Sequence, residues 1–262
     1  MRYLNAKEKI FLFLIFAFGL PAICLFLTQK YIIFQIGMPK FILLGLQVMS
    51  PTFSALIVVA IVGGGRDLKV FLKKCYLDNI RLKYILLAML LPLTVLLIAK
   101  ITSFIVLKQT TFISAISTRK IIVIVWALVA EEVGWRGFLQ EKLDKLYGNL
   151  VTPFLVGMVW AFWHYHLFLS GNTSAPLLLF LIGCIADSYG YYWVTIKSKG
   201  NVIPASIWHF TDNLFFNLFL INPEYNNGSS IPYMLFVFYS IIMAVGISIW
   251  GGLSERKNIQ CK

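Results

Sequence analysis

The sequence predicts an all-α membrane protein with about eight transmembrane helices and both termini in the cytoplasm. Three observations carry that prediction. Of 262 residues, 59% are hydrophobic and only 13% charged, with a mean hydropathy of +0.81; a soluble domain carries about 25% charged residues. Apolar runs of the roughly 17–25 residues needed to cross a ~30 Å hydrocarbon core recur along the chain. Lys and Arg, which orient membrane helices, are divided unevenly between alternate connections.

The first run, 10–27, follows Arg2, Lys7 and Lys9, as a signal peptide would, but no small-x-small cleavage site follows it. It is read as a retained anchor. The other spans are 41–62, 84–107, 119–138, 151–169, 175–196, 202–221 and 231–250. The connections are 28–40, a basic loop 63–83 opening Gly-Gly-Gly-Arg, 108–118, 139–150, a tight 170–174, 197–201 and a polar 222–230. No internal repeat or low-complexity tract is visible, so 1–262 reads as a single polytopic domain with a motif-bearing region at about 119–221. With the N-terminus inside, the inner side collects 17 Lys and Arg and the outer side 5, Lys100 lying within a span. An even number of spans fits this split. The net charge of +12 is therefore read as topology signal and contact with anionic lipid, not as a nucleic-acid surface. Cys24, Cys75, Cys184 and Cys261 are scattered without a C-x-x-C and read as free thiols.

Polar groups inside the later spans are the chemical signal. Glu131 and Glu132 directly follow the apolar run 121–130. An ionisable side chain in hydrocarbon costs at least a few kcal/mol and marks a functional site by default. Arg136 lies four residues after Glu132, so the two share a helix face and neutralise each other. Glu131 lies about 100° around the helix and points elsewhere, leaving one carboxylate free. The fifth span ends in Trp160-Ala-Phe-Trp-His-Tyr-His. Being two residues apart, His164 and His166 are expected on opposite sides of a helix, with His166 a hydrogen-bonded packing residue. In the seventh span His209 and Asn213 share a face at i and i+4, with Asp212 to one side. Asp187 and Lys100 read as candidate paired structural charges. Glu131, His164, His209 and Asn213 fall at overlapping depth, and such groups must find one another or water. An active site inside the helix bundle follows.

The chemistry such a set supports is hydrolysis. A carboxylate in a low-dielectric setting is a suitable general base, a neighbouring histidine can hold the same water, and a second histidine with an amide supplies donors for an oxyanion. The sequence has no G-x-S-x-G or H-E-x-x-H. Glu131, His164 and His209 could equally ligate a divalent metal such as zinc, and the sequence does not choose between the two arrangements.

At these residues the chain resembles the CAAX protease and bacteriocin-processing family of intramembrane proteases, also called the Abi family. The family's three motifs stand here in order, as Glu131-Glu132-Val-Gly-Trp-Arg136, as Trp160-Ala-Phe-Trp-His164 and as His209-Phe-Thr-Asp-Asn213. The fuller Glu-Glu-Val-Gly-Trp-Arg-Gly-Phe-Leu form resembles bacterial members. Phe162-x-x-x-His166 also fits the second motif, and the Trp-His-aromatic pattern favours His164. The resemblance implies an eight-helix membrane endopeptidase similar to those that trim prenylated CAAX tails. It makes Glu131 the base, His164 its partner on the water, His209 and Asn213 the oxyanion donors, and Glu132 with Arg136 the brace.

The expected function is an intramembrane endopeptidase of a bacterial plasma membrane, acting on a peptide or membrane-protein segment and embedded in the lipid bilayer. One rival is a non-catalytic bacteriocin self-immunity factor or sensor-kinase-binding protein. A second is a small transporter with a Glu/His proton path, which inverted repeats would support and which the sequence lacks. The charge split generates a test of topology. Reporter fusions after Lys262 and within 63–83 are expected to report cytoplasm, and fusions within 222–230 the outside; an outside signal at the C-terminus would put the span count wrong by one.

Overall fold

The computed structural model describes residues 4–109 and 111–253, so Cys261 and the C-terminal basic residues lie outside the described residues. All regular structure among them is helical. In order, the elements are α1 (Ala6–Lys30), a 3₁₀ turn (Ile32–Phe34), α2 (Gly37–Tyr76), α3 (Leu82–Val106) and α4 (Thr118–Ala130). A π-helical segment (Val133–Leu139), α5 (Gln140–Tyr147), α6 (Val151–Trp163) and α7 (Tyr165–Leu169) follow. The chain continues through α8 (Leu177–Lys197), α9 (Ile203–Leu218), a 3₁₀ turn (Pro223–Tyr225) and α10 (Ile231–Trp250).

Five of these, α1, α2, α3, α8 and α10, are long and apolar enough to cross a membrane. The protein is a multi-pass membrane protein. The remaining predicted spans are shorter, and two of them are interrupted where the polar residues sit. The span at 119–138 breaks at Glu131 and resumes as the π-helical segment, and the span at 151–169 breaks at His164. Single π turns inside helices concentrate at functional sites. Outward faces suit lipid: Ile121, Ile122, Val125, Trp126 and Val129 of α4 are exposed, whereas Ile124 and Ala127 are buried.

The largest departure from the sequence reading lies at 63–83, expected to be a loop. There α2 continues to Tyr76 across a kink at Gly64, whose φ of 70° is a left-handed conformation open to glycine. The stretch beyond the kink is helical because Phe71 and Cys75 recur at helical spacing and turn inward; Cys75 is buried and Phe71 meets Phe138 edge-on, with ring centroids 6.5 Å apart. Lys74 then pairs with Glu141 of α5 at 2.7 Å. The 139–150 connection is likewise partly helical, since Glu141, Lys142 and Lys145 make ion pairs within it. Burial works against the Glu141 charge, but hydrogen bonds from Lys74 and Lys145 outweigh it and hold the carboxyl at about 2, below its ordinary 4.5.

Close packing sets the site's walls. Asn5 and Glu8 cap α1 reciprocally. Trp163 donates its indole N–H to Ala17 O and Ser50 Oγ, both at 3.0 Å, tying α6 to α1 and α2. Gly134 lies so close to α2 that a Cβ there would sit 2.4 Å from the Pro51 carbonyl carbon. The π-helical segment is thereby pressed against α2, behind the two glutamates. Lys100 is buried, but its ammonium is held by Gln109 and the Thr111 carbonyl, so it is not the partner of Asp187.

Candidate active site

Glu132 sits at the centre of the polar interior. Its carboxylate is 0% exposed and pairs with Arg136 Nη1 at 3.1 Å, the i,i+4 contact that the spacing predicts. It also accepts from His209 Nδ1 on α9 at 2.8 Å. A carboxylate oxygen accepts, so Nδ1 carries the proton in this contact and Nε2 is turned the other way. The Arg136 guanidinium is held on its other sides by the Tyr191 ring, 4.0 Å away, the Trp160 ring, 4.9 Å away, and Ser188 Oγ at 3.5 Å. Ring faces beside a desolvated guanidinium stabilise it further.

Glu131 does not point away from this cluster, as a continuous helix would have required. The helix breaks at Glu131, where φ is −121°, and the 100° step no longer applies. Both glutamates consequently face His209. Glu131 Oε2 accepts indole N–H bonds from Trp160 at 3.0 Å and Trp135 at 3.3 Å. Glu131 Oε1 lies 3.9 Å from His209 Nε2. That gap is too long for a hydrogen bond and suits one bridging water. The two tryptophans lie inside the first and second motifs, yet nothing in their spacing revealed that their indoles converge on one carboxylate oxygen.

His164 ends α6, and its Nδ1 donates to the Trp160 carbonyl at 2.8 Å, leaving Nε2 free as an acceptor. His166 is buried, and its Nδ1 bonds the Trp163 carbonyl at 2.9 Å, as expected of a packing residue. The two rings are not on opposite sides. They stack with centroids 6.4 Å apart, because the chain turns between α6 and α7 instead of continuing as one helix.

A cavity of about 320 Å³ runs from the loops at Asn172, Asn222 and Glu224 down to Trp160, His164, His209 and Asn213. His164 and Asn213 thus share the cavity with His209, while Glu131 stands one layer behind, next to Trp160 and His209. Asp187, Tyr191 and Asp212 also line it. Glu132, Arg136 and His209 are joined by direct contacts, and Glu131 faces His209 across 3.9 Å; His164 and Asn213 are brought to the same cavity without a direct bond to them. Among the described residues no group of three His, Cys, Asp or Glu is gathered as a metal site. The candidate zinc ligands Glu131, His164 and His209 therefore do not form a ready donor set, Glu131 Oε2 being occupied by two indoles.

This wiring gives the adjacent glutamates different expected mutant phenotypes. Glu132→Gln leaves Arg136 buried without its counter-charge, which for a dry pair costs about 3–5 kcal/mol. Glu131→Gln retains an oxygen acceptor for the two indoles and is expected to cost much less. Unfolding in mixed micelles measures both, and equal losses would contradict the different wiring.

Residues 111–215 match the family model described as type II CAAX prenyl endopeptidase Rce1-like. A relative described as "CAAX prenyl protease 2", from Methanococcus maripaludis, is 27% identical over 107 residues. That alignment takes in 37% of this chain and 40% of the relative, so the chain spans about two fifths of the relative's length.

Proposed function

We propose that this protein, whose residues 111–215 match the type II CAAX prenyl endopeptidase model, belongs to the CAAX protease and bacteriocin-processing family and is an intramembrane endopeptidase using a carboxylate-activated water. The observation that carries the reading is the 3.9 Å gap between Glu131 Oε1 and His209 Nε2, with His209 fixed from behind by Glu132.

In this mechanism a water bridges Glu131 and His209. Glu131 takes one of its protons as the oxygen attacks the scissile carbonyl carbon, His164 Nε2 accepts the water's other O–H, and His209, protonated at both nitrogens, donates to the water oxygen from Nε2. The Asn213 amide, one turn from His209 on the cavity wall, donates to the oxyanion. The same Nε2–H of His209 then donates to the oxyanion and keeps its proton throughout. Glu131 then passes that proton to the leaving nitrogen, the C–N bond breaks, and the carboxylate is regenerated. Glu132 and Arg136 touch no reacting atom and act by holding His209. A tethered histidine costs no reorganisation when the charge develops.

The substrate is a peptide or a membrane-protein segment that reaches the cavity within the bilayer. The bacterial form of the Glu-Glu-Val-Gly-Trp-Arg motif supports a bacterial plasma membrane, while the relative named above is archaeal. The resemblance also covers self-immunity and sensor-binding roles that need no hydrolysis, and the decisive experiment separates them. Glu131→Gln, assayed per folded molecule in liposomes, is expected to lose a factor of about 10² to 10⁴ in turnover. A membrane peptidome from Glu131→Ala cells should lack the fragments that wild type generates. Full turnover in Glu131→Gln would end the hydrolytic reading, and a retained cellular phenotype without turnover would favour the binding role.

A further inference from the structure

The polar interior has more acid than the proposed hydrolytic reaction uses. Four buried carboxylates, Glu131, Glu132, Asp187 and Asp212, share it with one guanidinium, Arg136, which is already paired with Glu132. Asp187 on α8 and Asp212 on α9 both line the cavity and are 6% and 7% exposed. Asp212 Oδ2 accepts from the Tyr191 hydroxyl at 3.2 Å, and the Trp208 indole stands beside the same carboxyl as a second neutral donor. Asp187 makes no ion pair among the described residues, and the neutral Ser240 hydroxyl stands beside it as a hydrogen-bond donor. An uncompensated carboxylate out of water is among the most costly groups a protein can hold. Evenly distributed buried acids would be a packing liability; two on the wall of one cavity, with neutral donors beside them but no paired cation among the described residues, are arranged for something that enters it.

We propose that Asp187 and Asp212 form a subsite for the ammonium or guanidinium of a lysine or arginine side chain in the peptide substrate. The proposal rests on the endopeptidase reading above and names a residue class that reading leaves open. The chemistry of the walls fits a long cationic side chain. Asp187 lies ten residues along α8 from Leu177 at the loop end, about 15 Å of helix rise. A cation on a flexible alkyl stem can pass the apolar Phe180 and Phe216 of the same cavity before its charge meets the carboxylates. Near the mouth, Glu224 adds a third carboxylate, while the one lysine of the lining, Lys120, is held by the hydroxyl and ring of Tyr225. Asp212 stands between His209 and Asn213 in sequence, so the subsite adjoins the position where the peptide bond would be attacked. Asp187 and Asp212 select the substrate and take no part in proton transfer.

The test uses the full-length protein in liposomes and quenched apolar decapeptides carrying one Lys, Arg or norleucine, walked through every position. Wild type is expected to show one position at which Lys or Arg exceeds norleucine in kcat/KM by about 10- to 100-fold, as hydrogen bonds to charged groups imply. In Asp187→Asn and Asp212→Asn that ratio is expected to fall toward one. The ratio is taken within each variant, so a general loss of folded protein cancels. Equal rates for Lys and norleucine at every position of the wild type would overturn the subsite and leave the endopeptidase reading standing. A ratio unchanged in both variants would overturn the assignment to these aspartates, and a pH profile displaced equally for all peptides would make them a proton store instead. If no peptide is cleaved, the endopeptidase reading fails on its own, and thermal stabilisation by n-butylammonium against n-butanol decides the subsite. Stabilisation by the cation alone, in wild type and not in the asparagine variants, supports the site; its absence overturns it.

Discussion

One dry carboxylate organises this protein. Glu132 is excluded from solvent and simultaneously meets Arg136, one turn along its own chain, and His209, 77 residues away on α9. A buried charge is tolerated only with its partners in place, so these contacts constrain where α9 can pack and how the His209 ring can turn. The Arg136 guanidinium extends the same constraint to α8, through Ser188 and Tyr191, and to α6, through Trp160. Four helical elements are thus held to one ion pair and one histidine, and the orientation of His209 Nε2 toward Glu131 is a consequence.

Bringing two adjacent glutamates to one histidine requires a backbone that is not a regular α-helix. The break at Glu131 and the π-helical turns that follow supply it, and Gly134 allows that irregular segment to press on the Pro51 backbone of α2. A similar interruption at His164 frees its ring for the cavity and sends the chain into α7. In hydrocarbon, irregular backbone is tolerated where it is buried in protein or lines a water-filled cavity. Both breaks occur where the polar side chains gather, so irregularity and chemistry share one location.

Much of this is legible in the sequence alone. Hydropathy located the apolar runs, and the i,i+4 rule found Glu132 with Arg136 and placed His209 beside Asn213 on one helix face. What periodicity could not supply were the places where periodicity stops. Glu131 was expected to point away from Glu132, and His164 away from His166, because both inferences assumed an unbroken helix. The bond from His209 to Glu132 and the two indoles on Glu131 depend on how helices distant in sequence meet, which no local spacing encodes. The basic residues before Tyr76 looked like a loop because charge there masked the inward pair Phe71 and Cys75. Asp187 was legible only as an anomaly, and its cavity neighbours Asp212 and Tyr191 come from another helix and from the next turn of its own.

The account assigns Glu131 to work on water rather than on carbon, and the oxygen it delivers can be followed. A single turnover of a cleavable peptide in H₂¹⁸O, with enzyme in excess, is followed by mass analysis of the new C-terminal carboxylate and of the Glu131 peptide. A base acting on bridging water puts one ¹⁸O into every product carboxylate and none into Glu131. Unlabelled product together with ¹⁸O in Glu131 would show the carboxylate itself attacking the carbonyl carbon, and would contradict the account.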